Sequence, residues 1–174
     1  MIYEKNTLEF VTVALEFCAL METAEKHSAF SFMDNAVKIL PALYLKATLL
    51  PPALGAADDE TEPEQFITEN TYNAIRFHIA ELLGEQDAFL ETFHPDMQYS
   101  DAPVAATISE NLADIYQDVG NFAALFRQEN ELVMEQALYA CEENFRLYWG
   151  QKLLNALKAL HSARFNDDNN LTDE

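Results

Sequence analysis

The chain has 174 residues with 49% hydrophobic side chains and only 4 Gly, so it is long enough to bury a core of its own and too poor in tight-turn residues for an all-β fold. Its 30 acidic residues against 10 basic ones give a formal net charge of −20, which argues against binding to nucleic acid, because affinity for phosphates depends on clustered Lys and Arg. Glu16 interrupts the apolar run over residues 10–21, so the sequence predicts neither a signal peptide nor a membrane-spanning helix, and it favours the cytoplasm.

The first predicted helix begins near Asn6, a residue type that commonly caps a helix N-terminus, with Glu9 at the third helical position. Its apolar residues form two adjoining stripes, namely Leu8, Val11, Leu15 and Cys18, and Phe10, Ala14, Phe17 and Met21. Two stripes indicate that this helix contacts more than one neighbour. Glu22 follows in line with the apolar arc. It is either an inward carboxylate that needs a partner or a sign that the helix already frays there.

Residues 31–50 predict a second helix or two short ones. Pro41 lacks the amide donor that an uninterrupted helix requires, so it should bend or split this element, and Pro51 ends it. The acidic residues that follow read as a solvated loop.

The next helix should begin at a capping box formed by Thr61 and Glu64 and should stop at Gly84. A short helix near residues 85–93 and an irregular connection over residues 94–106 are expected to follow. No strand with alternating polarity is apparent.

A second capping box, Thr107 with Glu110, predicts the start of a helix with a regular apolar seam. The seam positions are Ile108, Leu112, Ile115, Val119, Phe122 and Phe126. Their spacing alternates between four and three residues, which is typical of a helix packed in a bundle.

The last helical element runs from about residue 129 to residue 163, with an interruption at Gly150. The polar residues 166–174 are expected to be a disordered acidic tail. The sequence therefore predicts one all-α domain over residues 1–165, a bundle of five to seven helices.

Two aspartates, Asp114 and Asp118, lie one turn apart on the predicted seam helix. Relative to the seam, Asp118 projects about 80° away and Asp114 about 120° away, while Asn111 lies closer at about 60°. Tyr116 borders the core from the other side. These aspartates are either a solvated shoulder of the helix, since carboxylates are rarely buried without partners, or the polar edge of a cleft.

Metal and catalytic signatures are weak in this sequence. A single Glu-x-x-His pair, Glu91 with His94, falls short of a di-iron bundle, and Pro95 biases His94 away from helical geometry. Two cysteines cannot complete a structural zinc site alone. We expect neither a metal nor a cofactor, and no Gly-rich phosphate loop or nucleophile elbow is visible.

An aromatic cluster of Phe145, Tyr148 and Trp149 sits at helical spacing. Such a cluster is either part of the core or, because Trp and Tyr also mark binding surfaces, part of a site.

Several segments resemble a bacterial family known only as a domain of unknown function. They are ILPALYLKATLLP (39–51), NLADIYQDVGNF (111–122), FRLYWGQKLLNALKALH (145–161) and FCALME (17–22). The family pattern favours histidines on either side of the Trp149–Gly150 pair, where this chain has Tyr148 and Lys152. If such histidines bind a metal in other members, this chain has lost that site. The resemblance implies an all-helical fold and supplies no activity.

The leading functional interpretation is a non-enzymatic cytoplasmic interaction or regulatory module that binds a protein partner, with a homo-oligomer left open. The alternative is a small-ligand or hydrolytic site in a carboxylate-lined cleft formed by Glu22, Asp114, Asp118 and Lys152. A third reading is an acidic mimic that occupies basic surfaces.

The specific site hypothesis is that the Asp114–Asp118 shoulder faces the stretch from Tyr148 to Lys152. An aspartate at the border of the core needs a cationic or hydrogen-bonding partner, and Lys152 is one of few bases available. We therefore expect Lys152 to pair with Asp118, next to Trp149. Either Tyr148 or Tyr116 would complete the polar patch.

Overall fold

The computed structural model of the protein describes residues 3–52, 64–91 and 102–165. Within these residues the chain forms six α-helices and one small antiparallel sheet. The elements are α1 (Lys5–Glu22), α2 (Ala29–Thr48), α3 (Glu69–Leu83), β1 (Ala88–Glu91), β2 (Val104–Thr107), α4 (Ile108–Phe126), α5 (Glu131–Asn144) and α6 (Gly150–Phe165). The predicted all-helical bundle is confirmed. No helix in the described residues has both the length and the apolar character needed to cross a bilayer.

Helix α4 is the central element of the bundle, because it packs against α1, α3, α5 and α6. The predicted seam of α4 is confirmed. Ile108, Leu112, Ile115 and Val119 are fully buried, and only 2% of Phe122 is exposed. The predicted cap is also present, since the Thr107 hydroxyl accepts a hydrogen bond of 3.2 Å from the amide of Glu110. Burial of this seam contributes hydrophobic stabilisation to the fold.

The core beside α4 is rich in aromatic side chains. Phe10 lies 5.4 Å from Phe122 and 6.4 Å from Trp149, measured between ring centroids. Both of the chain's cysteines, Cys18 and Cys141, are buried free thiols.

Helix α1 begins two residues earlier than predicted. Glu4, and not Asn6, occupies the N-cap position. Glu22 is the last helical residue, and it is exposed. Of the two readings of Glu22, the inward carboxylate is therefore wrong, and the end of the helix agrees with the structure.

Helix α2 is not split at Pro41, which lies inside it with an exposed side chain. Of the two alternatives, a single helix is therefore confirmed and two short helices are wrong.

Helix α3 begins later than the sequence suggested. Glu64 lies in a non-helical segment, and the N-cap is Thr68, whose hydroxyl accepts a hydrogen bond from the amide of Thr71. Thr61 lies outside the described residues. The capping-box pattern alone placed the helix start too early, because a second capping residue lies seven positions further on. The predicted stop is confirmed, since Gly84 follows α3 with φ of 57°.

The short helix expected near residues 85–93 is present only at the start of that range, and residues 92–93 lie outside the described residues. A 3₁₀ turn over Gly84–Asp87 leads into β1, which pairs antiparallel with β2 so that Ala88 lies opposite Thr107. Part of the connection predicted to be irregular is therefore strand β2, while residues 94–101 lie outside the described residues. Strands of four residues are too short to display a clear alternating pattern, so only pairing with each other reveals them.

A π turn over Phe145–Trp149 joins α5 to α6 and replaces the interruption predicted at Gly150. Cys141, Phe145, Trp149 and Leu153 are all buried and follow each other at intervals of four residues. In a regular helix each such step overshoots a full turn by about 40°, so three steps would rotate the apolar side about 120° away from the core. The extra residue of the π turn removes this drift. Residues 166–174, the predicted tail, lie outside the described residues.

Candidate functional site

Two adjoining clefts lie on the polar side of α4. The first, which we call the amide cleft, has a volume of about 310 Å³ and is lined by Gln65, Gln117, Asp118 and Asn144 together with three shared residues. The second, the strand cleft, has a volume of about 370 Å³ and lies between β2, the start of α4 and the α5–α6 junction. The shared residues are Asp114, Tyr148 and Lys152. Together the clefts form one groove, divided where Asp114 and Lys152 meet.

Asn121 fixes one wall of the amide cleft. Its side-chain oxygen accepts hydrogen bonds from the amides of Phe66 and Ile67, at 2.6 and 2.8 Å. Its side-chain nitrogen donates a hydrogen bond of 2.7 Å to Oε1 of the Gln65 side chain. Asn121 therefore holds the non-helical segment before α3 against α4, because it satisfies polar groups that would otherwise lack partners in a half-buried position. Gln65 reaches the cleft as a result.

Asp87 fixes the start of α4 and with it the floor of the strand cleft. Its two carboxylate oxygens accept hydrogen bonds from the amide and the hydroxyl of Ser109, at 2.7 and 2.6 Å. A carboxylate at a helix N-terminus is also favoured by the helix dipole. This buried contact ties β1 and α4 together.

The π turn presents Tyr148 to the groove and directs Trp149 away from it, and the start of α6 presents Lys152. Trp149 is fully buried, and its indole nitrogen donates a hydrogen bond of 3.0 Å to the Cys141 carbonyl. Tyr148, by contrast, is 58% exposed. Trp149 is therefore an anchor of the core beneath the site, and of the two aromatic residues only Tyr148 lines the groove.

Gly150 allows the π turn to form. Its amide donates to the Phe145 carbonyl, the bond that defines this turn, and a Cβ atom on Gly150 would lie 2.6 Å from that same oxygen. Such a contact is far too short for any other residue without movement of the backbone. The Trp-Gly pair thus combines a core anchor with a residue that has no side chain.

An ion pair between Lys152 and Asp114 forms the centre of the groove. The Lys152 Nζ lies 2.6 Å from Asp114 Oδ2, and the Tyr72 hydroxyl donates to Asp114 Oδ1 at 2.5 Å. The predicted meeting of the α4 aspartates with the Tyr148–Lys152 stretch is therefore present, but the predicted partner is wrong. Lys152 pairs with Asp114, because the side chain projecting further from the seam reaches over the groove.

Tyr72 is the third member of this central contact, and the sequence analysis did not identify it. Burial, and then the hydrogen bond to the negative Asp114, raise the pKa of Tyr72. The phenol therefore remains a neutral hydrogen-bond donor to Asp114.

Asp118 lies closer to the core than Asp114. Its carboxylate accepts a hydrogen bond of 3.3 Å from the side-chain amide of Asn144. Burial raises the pKa of Asp118 to about 6, and nearby Lys152 and the Asn144 amide only partly oppose this effect. Within the described residues no basic side chain lies within 4.0 Å of Asp118. It is thus a half-buried carboxylate with one neutral partner, at the wall of a cleft.

Glu22 and Tyr116 form a separate contact. The Tyr116 hydroxyl donates to Glu22 Oε2 at 3.3 Å, and burial followed by the negative charge of Glu22 raises the pKa of this phenol. Tyr116 is two residues from both Asp114 and Asp118, so it projects about 160° away from each around the helix. Of the seven predicted site residues, the structure brings four to the groove, which are Asp114, Asp118, Tyr148 and Lys152. It does not bring Glu22, Tyr116 or Trp149 there.

The groove also contains side chains that the sequence gave no reason to select. Gln65, Gln117 and Asn144 are common surface residue types, and no motif connects them. Only Gln117, which lies between the two aspartates in sequence, could have been found from helix geometry, since it is one turn from Asp114. In the part of the chain that the structure describes, no group of three His, Cys, Asp or Glu side chains could hold a metal ion.

Comparisons with known proteins agree with the helical fold and supply no activity. A sequence profile of a family described as "Domain of unknown function (DUF5063)" matches residues 1–166. The chain is also similar to a solved structure, the crystal structure of protein BF1032 from Bacteroides fragilis, a structural genomics target. The two chains share 41% sequence identity, with a TM-score of 0.83 over 95% of this chain and 96% of the other. No curated protein matches the chain.

Proposed function

We propose a function from the geometry of the groove for this chain, which belongs to the family described as the domain of unknown function DUF5063. The proposal is that the protein is a binding protein for a small polar molecule, which it holds in the groove across the Asp114–Lys152 ion pair. This corresponds to the ligand-binding alternative of the sequence analysis.

The single observation that carries the proposal is the convergence of polar side chains from separate parts of the chain on one cleft. Asp114, Gln117 and Asp118 come from α4, while Asn144, Tyr148 and Lys152 come from the α5–α6 junction, and Gln65 precedes α3. A solvated shoulder of a single helix would not gather partners from three segments. The volume of about 310 Å³ is near the lower end of the roughly 300–1,000 Å³ that is usual for ligand pockets, which suits a small ligand.

The chemistry of the lining suits hydrogen-bond recognition. Carboxylates supply acceptors, the ammonium of Lys152 and the phenol of Tyr148 supply donors, and the amides of Gln65, Gln117 and Asn144 supply both. A few placed polar groups of this kind orient a ligand and give specificity.

The other functional interpretations stay predictions. The exposed apolar residues that a protein partner could contact are distributed over several elements, including α2, α3, β1 and the α5–α6 junction, so they do not identify one docking face. A hydrolytic reaction would need more than the one carboxyl group, Asp118, whose pKa of about 6 suits acid–base chemistry near neutral pH.

The test is a binding screen with a groove-filling variant. Amines, carboxylic acids, sugars and amides would be screened by thermal shift, and hits would be located by amide chemical-shift changes in the ¹⁵N-labelled protein. Gln117→Trp fills the amide cleft, and we expect it to abolish binding of hits. Gln128→Trp adds the same side chain at an exposed residue after α4 and should leave binding intact.

Two results would overturn the proposal. One is that no compound class shifts the amide signals of the groove residues. The other is that Gln117→Trp and Gln128→Trp bind the same hits equally well.

A further inference from the structure

The groove has an imbalance of charge that bears on the kind of ligand it can hold. The carboxylates that line the two clefts are Glu91, Glu110, Asp114 and Asp118, and the basic side chain that lines them is Lys152. Lys152 is already in contact with Asp114 at 2.6 Å. An anionic ligand would therefore meet excess negative charge, on a protein whose formal net charge is −20.

Of the carboxylates in the groove, Asp118 would be stabilised most by contact with a ligand. It is removed from water on one side, and its contact in the amide cleft is a single long hydrogen bond from a neutral amide. A half-buried carboxylate without a direct cationic partner is costly, and an opposite charge placed against it removes that cost.

The side chains around Asp118 provide further acceptors in the same cleft. Gln117 and Asn144 each carry a side-chain carbonyl oxygen, and that of Gln65, which already accepts one hydrogen bond from Asn121, has a second lone pair. An ammonium or guanidinium group has several N–H donors, and a carboxylate with nearby amide carbonyls can satisfy them.

We infer that the ligand of the amide cleft is a small organic cation, a primary amine or a guanidine, whose charged group contacts the Asp118 carboxylate. This inference rests on the proposed function, since it names the ligand class for the same groove. Lys152 and Asp114 then lie beside the bound cation, and the exposed ring of Tyr148 can cover it, because aromatic faces attract cations.

The test uses agmatine, which carries an amine and a guanidine, with 1,4-butanediol and succinate as neutral and anionic probes of similar length. Each is titrated by calorimetry at physiological ionic strength, which suppresses diffuse attraction to the acidic surface. We expect agmatine to bind and the other two not to. Asp118→Asn should weaken agmatine binding about tenfold or more, the effect of losing one charged hydrogen bond.

A matched variant separates the site from the general negative charge. Glu135→Gln removes one carboxylate from an exposed position on α5 and should change agmatine affinity less than about twofold. Lys152→Met should tighten agmatine binding, because it removes a like charge and leaves Asp114 as a second acceptor.

The pH dependence gives an independent readout. The charged or titratable groups near Asp118 are Asp114 on the same helix, Lys152 and Tyr148 from the α5–α6 junction, and Cys141 on α5. Because a cation binds only the ionised carboxylate, affinity should fall as the pH drops below about 6, and Asp118→Asn should abolish this fall.

The outcomes separate the two claims. Binding of succinate or butanediol in the groove, with no binding of agmatine, would overturn the cation inference and leave the proposed function standing. Equal weakening by Asp118→Asn and Glu135→Gln would also overturn it, since the attraction would then be diffuse. If no probe and no screened compound binds in the groove, both claims fail.

Discussion

The two sides of α4 differ in the kind of contact that each requires. On the apolar side, Val119 and Phe122 are almost completely removed from water and contact other apolar residues. On the polar side, Asp114 and Asp118 are only half-buried, and each depends on specific partners from other helices. Any apolar neighbour of suitable volume can satisfy the first side, whereas the second requires particular groups at particular distances.

This difference places a stabilising side and a side that costs stability on a single helix. The core side stabilises the fold through its buried area. The groove side keeps a carboxylate, Asp118, in surroundings that raise its pKa and so cost stability. Sites that retain such costs are characteristic of functional regions.

The largest expected effect is on the core side. Phe122→Ala should lower the free energy of unfolding by about 3–5 kcal/mol, because it removes a buried ring and leaves a cavity beside Phe10. Urea titration measures the change. Phe77→Ala, at a ring that is 58% exposed, is the control and should cost far less. Phe77 lies on α3, and similar losses for both variants would show that Phe122 is not the buried core ring described.

The next largest loss of stability is expected at the π turn, which lies between the core and the groove. Gly150→Ala should destabilise the protein by about 1–3 kcal/mol through overpacking, although alanine ordinarily favours a helix by about 1 kcal/mol over glycine. The reason is that the new Cβ would lie 2.6 Å from the Phe145 carbonyl oxygen.

Gly120→Ala on α4 is the matched control for this variant. Its Cβ would meet the end of the Ile67 side chain at 3.0 Å, and a flexible side chain can move where a backbone carbonyl cannot. We expect Gly120→Ala to be milder in thermal unfolding. The reverse order would contradict the assigned role of the π turn.

The contribution of Asp118 to the stability of the fold should change with pH in the direction opposite to that of an ordinary paired carboxylate. Its pKa is about 6 in the folded protein, against about 3.9 for an unperturbed aspartate. The folded state thus holds the proton more tightly than the unfolded state, and the contribution of this group to stability is present below about pH 4 and lost as the pH rises through about 6. Asp118→Asn, which cannot ionise, should therefore be more stable than the original protein at pH 8 and lose that advantage by pH 4.

Denaturant titrations at several pH values measure this effect, with Glu135→Gln as the exposed control. A stability gain for Asp118→Asn that is the same at every pH would show that Asp118 is not held in the surroundings described.

The smallest effect on stability is expected for the ion pair between Lys152 and Asp114. The side chains of Lys152 and Asp114 are 40% and 24% exposed, so solvent screening limits their coupling to about 1 kcal/mol. A double-mutant cycle with Asp114→Asn and Lys152→Met should measure this coupling, and the cycle with Asp118→Asn should give a smaller one. Stronger coupling to Asp118 would restore the pairing first expected from the sequence.

Much of the fold could be predicted because its signals are local. The seam from Ile108 to Phe126 and the Thr107 cap lie within one helix, so their spacing alone fixes which side is buried. The start of α3 and the two strands could not be predicted. Thr68 competes with Thr61 as a cap, and the four-residue strands become recognisable only through their pairing.

The candidate site was predictable in part for the same reason. The spacing of Asp114 and Asp118 placed Asp118 at the border of the core and Asp114 further outward on the same side of α4. Which of them Lys152 would contact depends on how α4 and α6 cross and on the π turn before Gly150. Of the two readings of Glu22, the helix end and not the inward carboxylate agrees with the structure, because periodicity near a helix end does not determine burial.

The sequence by itself determined the helical class, the buried side of α4 and the family resemblance, because hydrophobic periodicity and capping act over a few neighbouring residues. Only the tertiary structure decided that Gln65, Asn144 and Lys152 meet the α4 aspartates in one groove. These residues are separated by up to 87 positions along the chain. Their distances depend on how whole helices pack, and no local pattern encodes that arrangement.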